Sequence, residues 1–377
     1  MAGIYLHIPF CKSKCPYCNF FSVASLSSKT AFVEALLLEM DLQRNYLGGR
    51  LVSTIYFGGG TPSVLEATEL CLILSKLNET FSISPDAEIT IEVNPDDVTA
   101  QNLESWLHTG INRLSIGVQS FSDKDLKYLG RIHSGKQSEL ALKLALEKGF
   151  SDLSADFIFG LPGQSDDDFA INLERAVNLG IPHISAYSLT VEPDTAMAVM
   201  IRKGLLQEPD DEEQSRKFSF LMEYLRSRGY EHYEISNFCL PGYYSKHNSS
   251  YWTAEHYLGL GPSAHSFNGA SRQWNVSGIS KYCRQLSQGM DFFESEVLSQ
   301  GQKYNEYVMV SLRTMWGSHI NHIATEFGED MASYFIIRAR AYIITGDMIE
   351  NNGIYTLSDQ GKLFADKISS DLFLDIS

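Results

Sequence analysis

Short runs of β-branched and aromatic residues alternate with stretches of helical periodicity along the first half of this chain. The runs predict strands at Tyr5–Ile8, Thr54–Phe57, Ile89–Val93, Arg113–Val118, Leu153–Phe159 and Ile184–Thr190. Between them, Phe32, Val33, Leu36, Leu37 and Met40 keep helical spacing after a Ser/Thr-rich start. Leu70 to Leu77, Leu140 to Leu146 and Phe169 to Val177 behave in the same way. About six strand-then-helix units in series imply a parallel sheet, covered by helices in right-handed crossovers. Six is short of the eight units of a complete TIM barrel. The expected class is therefore α/β, with an open, partial (β/α)6 TIM-like barrel whose ligand site lies at the carboxyl ends of the strands.

The pattern changes near residue 230. Tyr230 to Ile235 reads as one more strand, and residues 240–275 are rich in Gly, Ser, Asn, His and aromatics. From about residue 300 a helical region begins and ends in a hairpin-like piece, Gly353 to Ser358, before a last helix. Helices followed by a short hairpin suggest a smaller, winged-helix-like C-terminal domain. The expected division is a core at 1–235, a connecting region at 236–300 and the winged-helix-like domain at 301–377. Residues 302–377 carry six basic and ten acidic side chains, a net charge of −4. So acidic a wing is a poor partner for DNA, and a structural or protein-contact role is expected.

The whole chain agrees with this. Its 377 residues are 44% hydrophobic and 20% charged, which is ordinary globular composition. The formal net charge of −16 argues against nucleic acid as a partner. An anionic porphyrin would need a local basic or metal-ligating pocket. No apolar run approaches the length of a membrane span. Met1-Ala2-Gly3 leads straight into a strand, with neither a basic start nor a cleavage site. A reducing, cytoplasmic setting is expected.

The candidate chemistry begins with cysteine. Of six cysteines, Cys71, Cys239 and Cys283 are scattered and read as plain thiols, whereas Cys11, Cys15 and Cys18 fall within eight residues. Three thiolates so spaced can hold a cubane iron–sulfur cluster by three of its irons, leaving the fourth iron open to a small-molecule ligand. A zinc site is the alternative, although zinc sites usually show paired C-x2-C knuckles and a fourth Cys or His. His7 is close in sequence but sits inside a strand pattern. Gly58-Gly59-Gly60-Thr61-Pro62 and Asn94-Pro95 also fall at strand ends. The glycines either admit a ligand close to the backbone or make a tight strand-to-helix turn. Glu92, Gln119, Arg131 and Asp156 lie at or near strand ends. Singly each reads as an ordinary polar residue; together around one rim they could bind a zwitterion, with Arg131 on its carboxylate. Gly160-Leu161-Pro162-Gly163-Gln164 closes the fifth strand with a turn.

These residues together resemble the radical SAM superfamily. Over nearly the whole chain the resemblance is to the oxygen-independent coproporphyrinogen III oxidase family. It is carried by Tyr5-Leu6-His7-Ile8-Pro9-Phe10-Cys11, Phe57-Gly58-Gly59-Gly60-Thr61-Pro62, Gly117-Val118-Gln119-Ser120-Phe121 and Asp156-Phe157-Ile158-Phe159-Gly160-Leu161-Pro162-Gly163-Gln164. It implies a [4Fe-4S] cluster on Cys11, Cys15 and Cys18, with the amino and carboxylate groups of S-adenosylmethionine on the open iron. It further implies S-adenosylmethionine contacts from Tyr5, Gly59, Gly60, Thr61, Glu92, Gln119, Arg131 and Asp156, with Tyr17 near the adenine. An electron donor would drive reductive cleavage to methionine and a 5′-deoxyadenosyl radical, unless the cofactor serves a structural or regulatory role.

Two departures stand out. The oxidase motif continues to a cysteine two residues after the third, where this chain has Phe20, and the oxidase carries an N-terminal extension ahead of the first strand. A third clue is His247-Asn248-Ser249-Ser250-Tyr251-Trp252, followed by Tyr257 to Ser266. This stretch resembles the heme-chaperone branch of the family. That branch implies heme as a further ligand, recipient hemoproteins as partners and, for membrane-bound recipients, peripheral contact only. His247 is then the candidate heme ligand and His265 a second, with Tyr251 and Trp252 packing on the porphyrin. Against this, His247 reads as a polar turn residue bonded to the backbone. Coproporphyrinogen III dehydrogenation is the alternative activity.

Overall fold

Six parallel strands pair in chain order in the computed structural model, which describes residues 1–375. They are β1 (Ala2–Ile8), β2 (Val52–Gly59), β3 (Ile83–Val93), β4 (Arg113–Gln119), β5 (Asp152–Phe159) and β6 (His183–Ser188). The last ends two residues before its expected limit, whereas β3 starts six residues earlier than its apolar run. The helices that follow the strands are α1 (Lys29–Leu42), α2 (Ala67–Thr80), α3 (Ala100–Thr109), α4 (Asp123–Tyr128), α5 (Gly135–Glu147) and α6 (Asp166–Asn178). Local sequence fixes their starts: Thr99, Ser122, Ser134 and Ser165 each accept a bond from a backbone N–H of the first turn. Leu70, Ile73, Leu74 and Leu77 of α2 and Phe169, Leu173 and Ala176 of α6 are buried, one apolar stripe per helix.

The barrel is open. β1 meets β2 on one edge and, on the other, the parallel strand His256–Leu260. Strands His265–Phe267, Ser271–Asn275 and Phe293–Val297 continue that edge outward. Residues 256–275 carry little β-branched character, and one buried carboxylate ties them down. Glu39 of α1 accepts the Gly261 N–H at 2.8 Å, the Asn275 amide at 2.5 Å and the Tyr282 hydroxyl. Burial pushes its carboxyl up to about 7, against the pull of those three donors.

The chain forms two compact units. The first is Met1–Gln214 with Glu255–Glu296; the second is Ser215–Ala254 together with the chain from Val297 onward. The second unit contains an antiparallel hairpin, Glu231–Glu234 with Asn237–Cys239. It also holds helices Gln300–Leu312, Ile320–Phe327 and Glu329–Thr345 and an antiparallel sheet with Ile354–Leu357 between Ser318–His319 and Met348–Asn351. Three helices and a three-stranded wing make this a winged-helix arrangement, packed around Tyr304, Val308, Leu312, Ile323 and Phe335. Among the described residues no helix is long and apolar enough to cross a membrane.

One property of the six-stranded sheet positions the site. A TIM barrel usually fills its interior with branched aliphatic residues. Here Ile4, Leu6 and Ile8 of β1 are buried, while Tyr5 and His7 alternate with them and point to the opposite face. Register places Tyr5 beside Tyr56, Glu92 beside Ser115, Ser115 beside Ser154 and Asp156 beside Ser185. This polar face is bonded across strands. Tyr56 donates to Glu92 at 2.8 Å, Ser115 to Asp156 at 2.8 Å and Ser154 to Asp156 at 2.9 Å, with His183 2.8 Å from Ser154. A buried polar face satisfied in this way costs little and leaves functional groups aligned at the strand ends.

Candidate cluster and cofactor site

The cysteine loop leaves β1 and is pinned from several sides. Val23 N–H donates to Pro9 O at 2.8 Å, and Cys11 N–H donates to Val23 O at 2.9 Å. Thr61 N–H donates to Phe10 O at 2.6 Å, and Met197 N–H to Pro16 O at 2.8 Å. Gly130 turns with φ +67 so close to Pro16 that a Cβ there would lie 2.7 Å from the ring. All three thiols are free, Cys11 buried and Cys15 and Cys18 half-buried. Burial raises the Cys18 thiol, and Cys15 and Cys11 add to that rise.

This donor set tests the two sequence readings. Mononuclear zinc needs its ligands at roughly 2.0–2.3 Å from one centre. A cubane gives each thiolate its own iron, so its sulfurs surround a wider body. Three thiols on one pinned loop suit a cubane, which takes one thiolate per iron. Phe20, two residues after Cys18, is 66% exposed and supplies no further donor.

The glycine run lies close against β1 and the cysteine loop. A Cβ on Gly59 (φ +103) would lie 2.6 Å from the His7 ring; on Gly60 it would lie 2.5 Å from Phe10 O and 2.8 Å from Ile8 O. Gly60 N–H donates to Ile8 O at 2.8 Å. β2 thus runs directly under the loop that carries the cysteines, and the missing Cβ atoms are filled by protein. His7 is held in one tautomer: its Nε2–H donates to Phe21 O at 2.8 Å, leaving Nδ1 to accept from the Tyr5 hydroxyl at 3.2 Å. Burial lowers its pKa, so it is the neutral ring that stands here.

Around this loop the expected polar residues come from three strands and one loop. Glu92 Oε2 accepts Gly59 N–H at 3.2 Å, while burial, with Asp156 nearby, pushes the carboxyl up to about 7. Asp156 is likewise raised by burial, against the pull of its serine donors. Gln119 ends β4 at φ +63, an uncommon conformation for a residue with a Cβ, at a break in the β4–β5 register. Its amide comes within 2.9 Å of where a Gly117 Cβ would sit, so that glycine leaves room for it. Arg131 comes from the loop after α4, not from a strand end. Its Nη1 donates to Cys15 Sγ at 3.4 Å, and its Nη2 donates to Asn94 Oδ1 at 2.5 Å and to Gly117 O at 3.1 Å. Asn94 in turn donates to Thr61 Oγ1 at 3.3 Å. Tyr17 packs against Leu129, Ile158, Leu161, Leu189 and Met197, and burial raises its hydroxyl.

Sequence reasoning passed over Tyr56, Ser115 and Ser154, whose only signal was a polar residue at every second position of a strand. It placed Asn94 at a strand end without giving it a partner.

His247 belongs to the second unit, in the helix Lys246–Trp252. It is 1% exposed, and its Nε2 lies 2.9 Å from the Tyr251 hydroxyl, so that nitrogen's partner is a side chain and not the backbone. Trp252 of the same helix lies 5.5 Å beneath the Arg313 guanidinium. His265 is exposed in the first unit, its ring centroid 6.5 Å from that of Trp274.

Comparison with known proteins bears on this arrangement. Residues 5–176 match the Radical SAM superfamily. A Mycobacterium tuberculosis protein named heme chaperone HemW is 33% identical over 371 residues, covering 97% of this chain and 93% of that protein. The Escherichia coli protein of the same name is 40% identical over 265 residues, covering 70% of this chain and 69% of its own. Among solved structures, coproporphyrinogen III oxidase HemN from Escherichia coli superposes with a TM-score of 0.85 at 23% identity, covering 99% of this chain and 90% of that one, a likeness of fold.

Proposed function

This chain belongs to the HemW family of radical SAM proteins, and from that premise we propose that it binds a [4Fe-4S] cluster, S-adenosylmethionine and heme, and hands heme to recipient hemoproteins. The observation that carries the proposal is the near-full-length likeness to relatives named heme chaperones. Exposed Phe20, standing where the oxidase pattern has a further cysteine, agrees with it. Cys11, Cys15 and Cys18 would hold the cluster. With S-adenosylmethionine on the open iron, such a cluster supplies one-electron cleavage of the sulfonium, given an electron donor. Glu92 would accept from the amino group and Arg131 would donate to the carboxylate. Gln119 and Asp156 would take the ribose hydroxyls, and Tyr17 would lie by the adenine. Tyr5, Gly59, Gly60 and Thr61 would line the floor.

A carboxyl pushed up to about 7 makes the role of Glu92 pH-dependent. Ionised Glu92 accepts a charge-assisted hydrogen bond from the iron-bound amino group, and protonated Glu92 loses that assistance. S-adenosylmethionine affinity should rise by about tenfold as pH is raised from 6 to 8. Equilibrium dialysis of the wild type and Glu92→Gln checks this: the variant should bind weakly at both pH values. A wild-type slope retained in the variant would remove Glu92 from the role.

For heme we propose His247 as axial ligand, in the second unit. Ligation through Nε2 requires its bond to the Tyr251 hydroxyl to open. Heme titration followed by absorbance tests the proposal. His247→Ala should weaken binding at least about tenfold and leave the cluster spectrum intact. An unchanged titration places the ligand elsewhere, with His265→Ala the next variant.

A further inference from the structure

We propose that Arg131 sets the reduction potential of the cluster by donating an N–H···S hydrogen bond to the Cys15 sulfur. The inference rests on the cluster reading above and is independent of how S-adenosylmethionine or heme binds. It goes beyond the contact with S-adenosylmethionine that the resemblance implies for Arg131.

The guanidinium is placed with unusual completeness. Nη2 is held by Asn94 Oδ1 at 2.5 Å and Gly117 O at 3.1 Å, which aims Nη1 at Cys15 Sγ, 3.4 Å away. The backbone is fixed as well: Arg131 N–H donates to Leu126 O at 2.8 Å, and the preceding Gly130 packs on Pro16, the residue after Cys15. Asn94 donates to Thr61 Oγ1 at 3.3 Å, and Thr61 N–H donates to Phe10 O at 2.6 Å. The chain of bonds thus leaves the cysteine loop at Cys15 and returns to it next to Cys11. Loop and guanidinium keep their spacing together.

Charge points the same way. Among the described residues no carboxylate pairs with Arg131. The acids close to the cysteine loop, Asp96 and Asp97, are taken by Lys12, at 2.8 Å for Asp96. A guanidinium stays protonated at any working pH, so its charge is left for the sulfur. Reduction adds one electron from an external donor to the cluster, and no bond to Cys15 forms or breaks. A fixed positive charge stabilises the more negative, reduced form, and hydrogen bonds to cluster sulfurs are an established lever on potential.

The test is an anaerobic dithionite titration, followed by electron paramagnetic resonance, on reconstituted full-length protein without S-adenosylmethionine. Iron and sulfide are counted first. Arg131→Met should keep its cluster and move the midpoint negative by about 59 mV or more, tenfold in a one-electron equilibrium. Arg131→Lys and Asn94→Ala should move it less, in the same direction. An unchanged midpoint in a fully loaded Arg131→Met overturns the proposal. Should that variant not hold its cluster, the other two decide: negative shifts support the proposal and unchanged midpoints overturn it. A wild type that takes up no cluster overturns the cofactor reading and this inference with it.

Discussion

Cys15→Ala is expected to strip most of the iron from the anaerobically reconstituted protein while leaving its circular dichroism unchanged. The loop is held by backbone bonds at Pro9, Phe10, Cys11 and Pro16, none of which needs the Cys15 side chain. Loss of the sulfur therefore removes a ligand without unfolding its support. Two thiolates remain, too few for a cubane that already lacks a fourth protein ligand. Iron and sulfide analysis should fall several-fold, and the cluster absorbance with it. Cys71→Ala, at an exposed position on α2, should retain the full complement. Undiminished iron in Cys15→Ala would refute the ligand assignment.

Gly60→Ala should have an effect of the same kind from a residue that is no ligand. Its Cβ would meet two backbone carbonyls of the cysteine loop, Phe10 O at 2.5 Å and Ile8 O at 2.8 Å, and neither can rotate away as a side chain could. Overpacking of this kind costs about 1–3 kcal/mol. The strain falls where β2 supports the loop, so the protein should fold with a lower thermal midpoint and take up much less cluster. Gly48→Ala provides the control: that glycine also has a positive φ, +59, but no atom lies within 4 Å of an added Cβ. It should lose some stability and no iron. A Gly60→Ala protein with full iron would show that the glycine run is no support for the loop.

These two cases mark what could be read from the chain. The cysteine spacing and the six strands were legible because each is a local signal. The purpose of Gly58 to Gly60 was not. An exposed tight turn, a ligand cradle and a packing contact with another strand all ask for the same missing Cβ, and only the third dimension reveals the close packing. The polar face of the sheet was half legible. Tyr5 and His7, or Arg113 and Ser115, show the alternation, but a sequence does not say that the polar side is the one turned inward. Strands at 256–275 were hidden because their stability comes from Glu39, more than two hundred residues away, and not from β-branched side chains. Arg131 was placed near a strand end by its position in sequence, although its part in the site comes from Asn94 and Gly117. His247 was singled out by motif alone, and burial against Tyr251 adds a condition that no motif carries.

Under the proposed function the protein delivers heme and leaves coproporphyrinogen III untouched. One anaerobic mixture tests it most directly: reconstituted, heme-loaded protein with S-adenosylmethionine, a reductant, coproporphyrinogen III and an apo-hemoprotein. The recipient's heme absorbance and the porphyrin content are then followed together. The recipient should gain heme and coproporphyrinogen III should stay unchanged. Protoporphyrinogen formation, or a recipient that gains no heme, would contradict it.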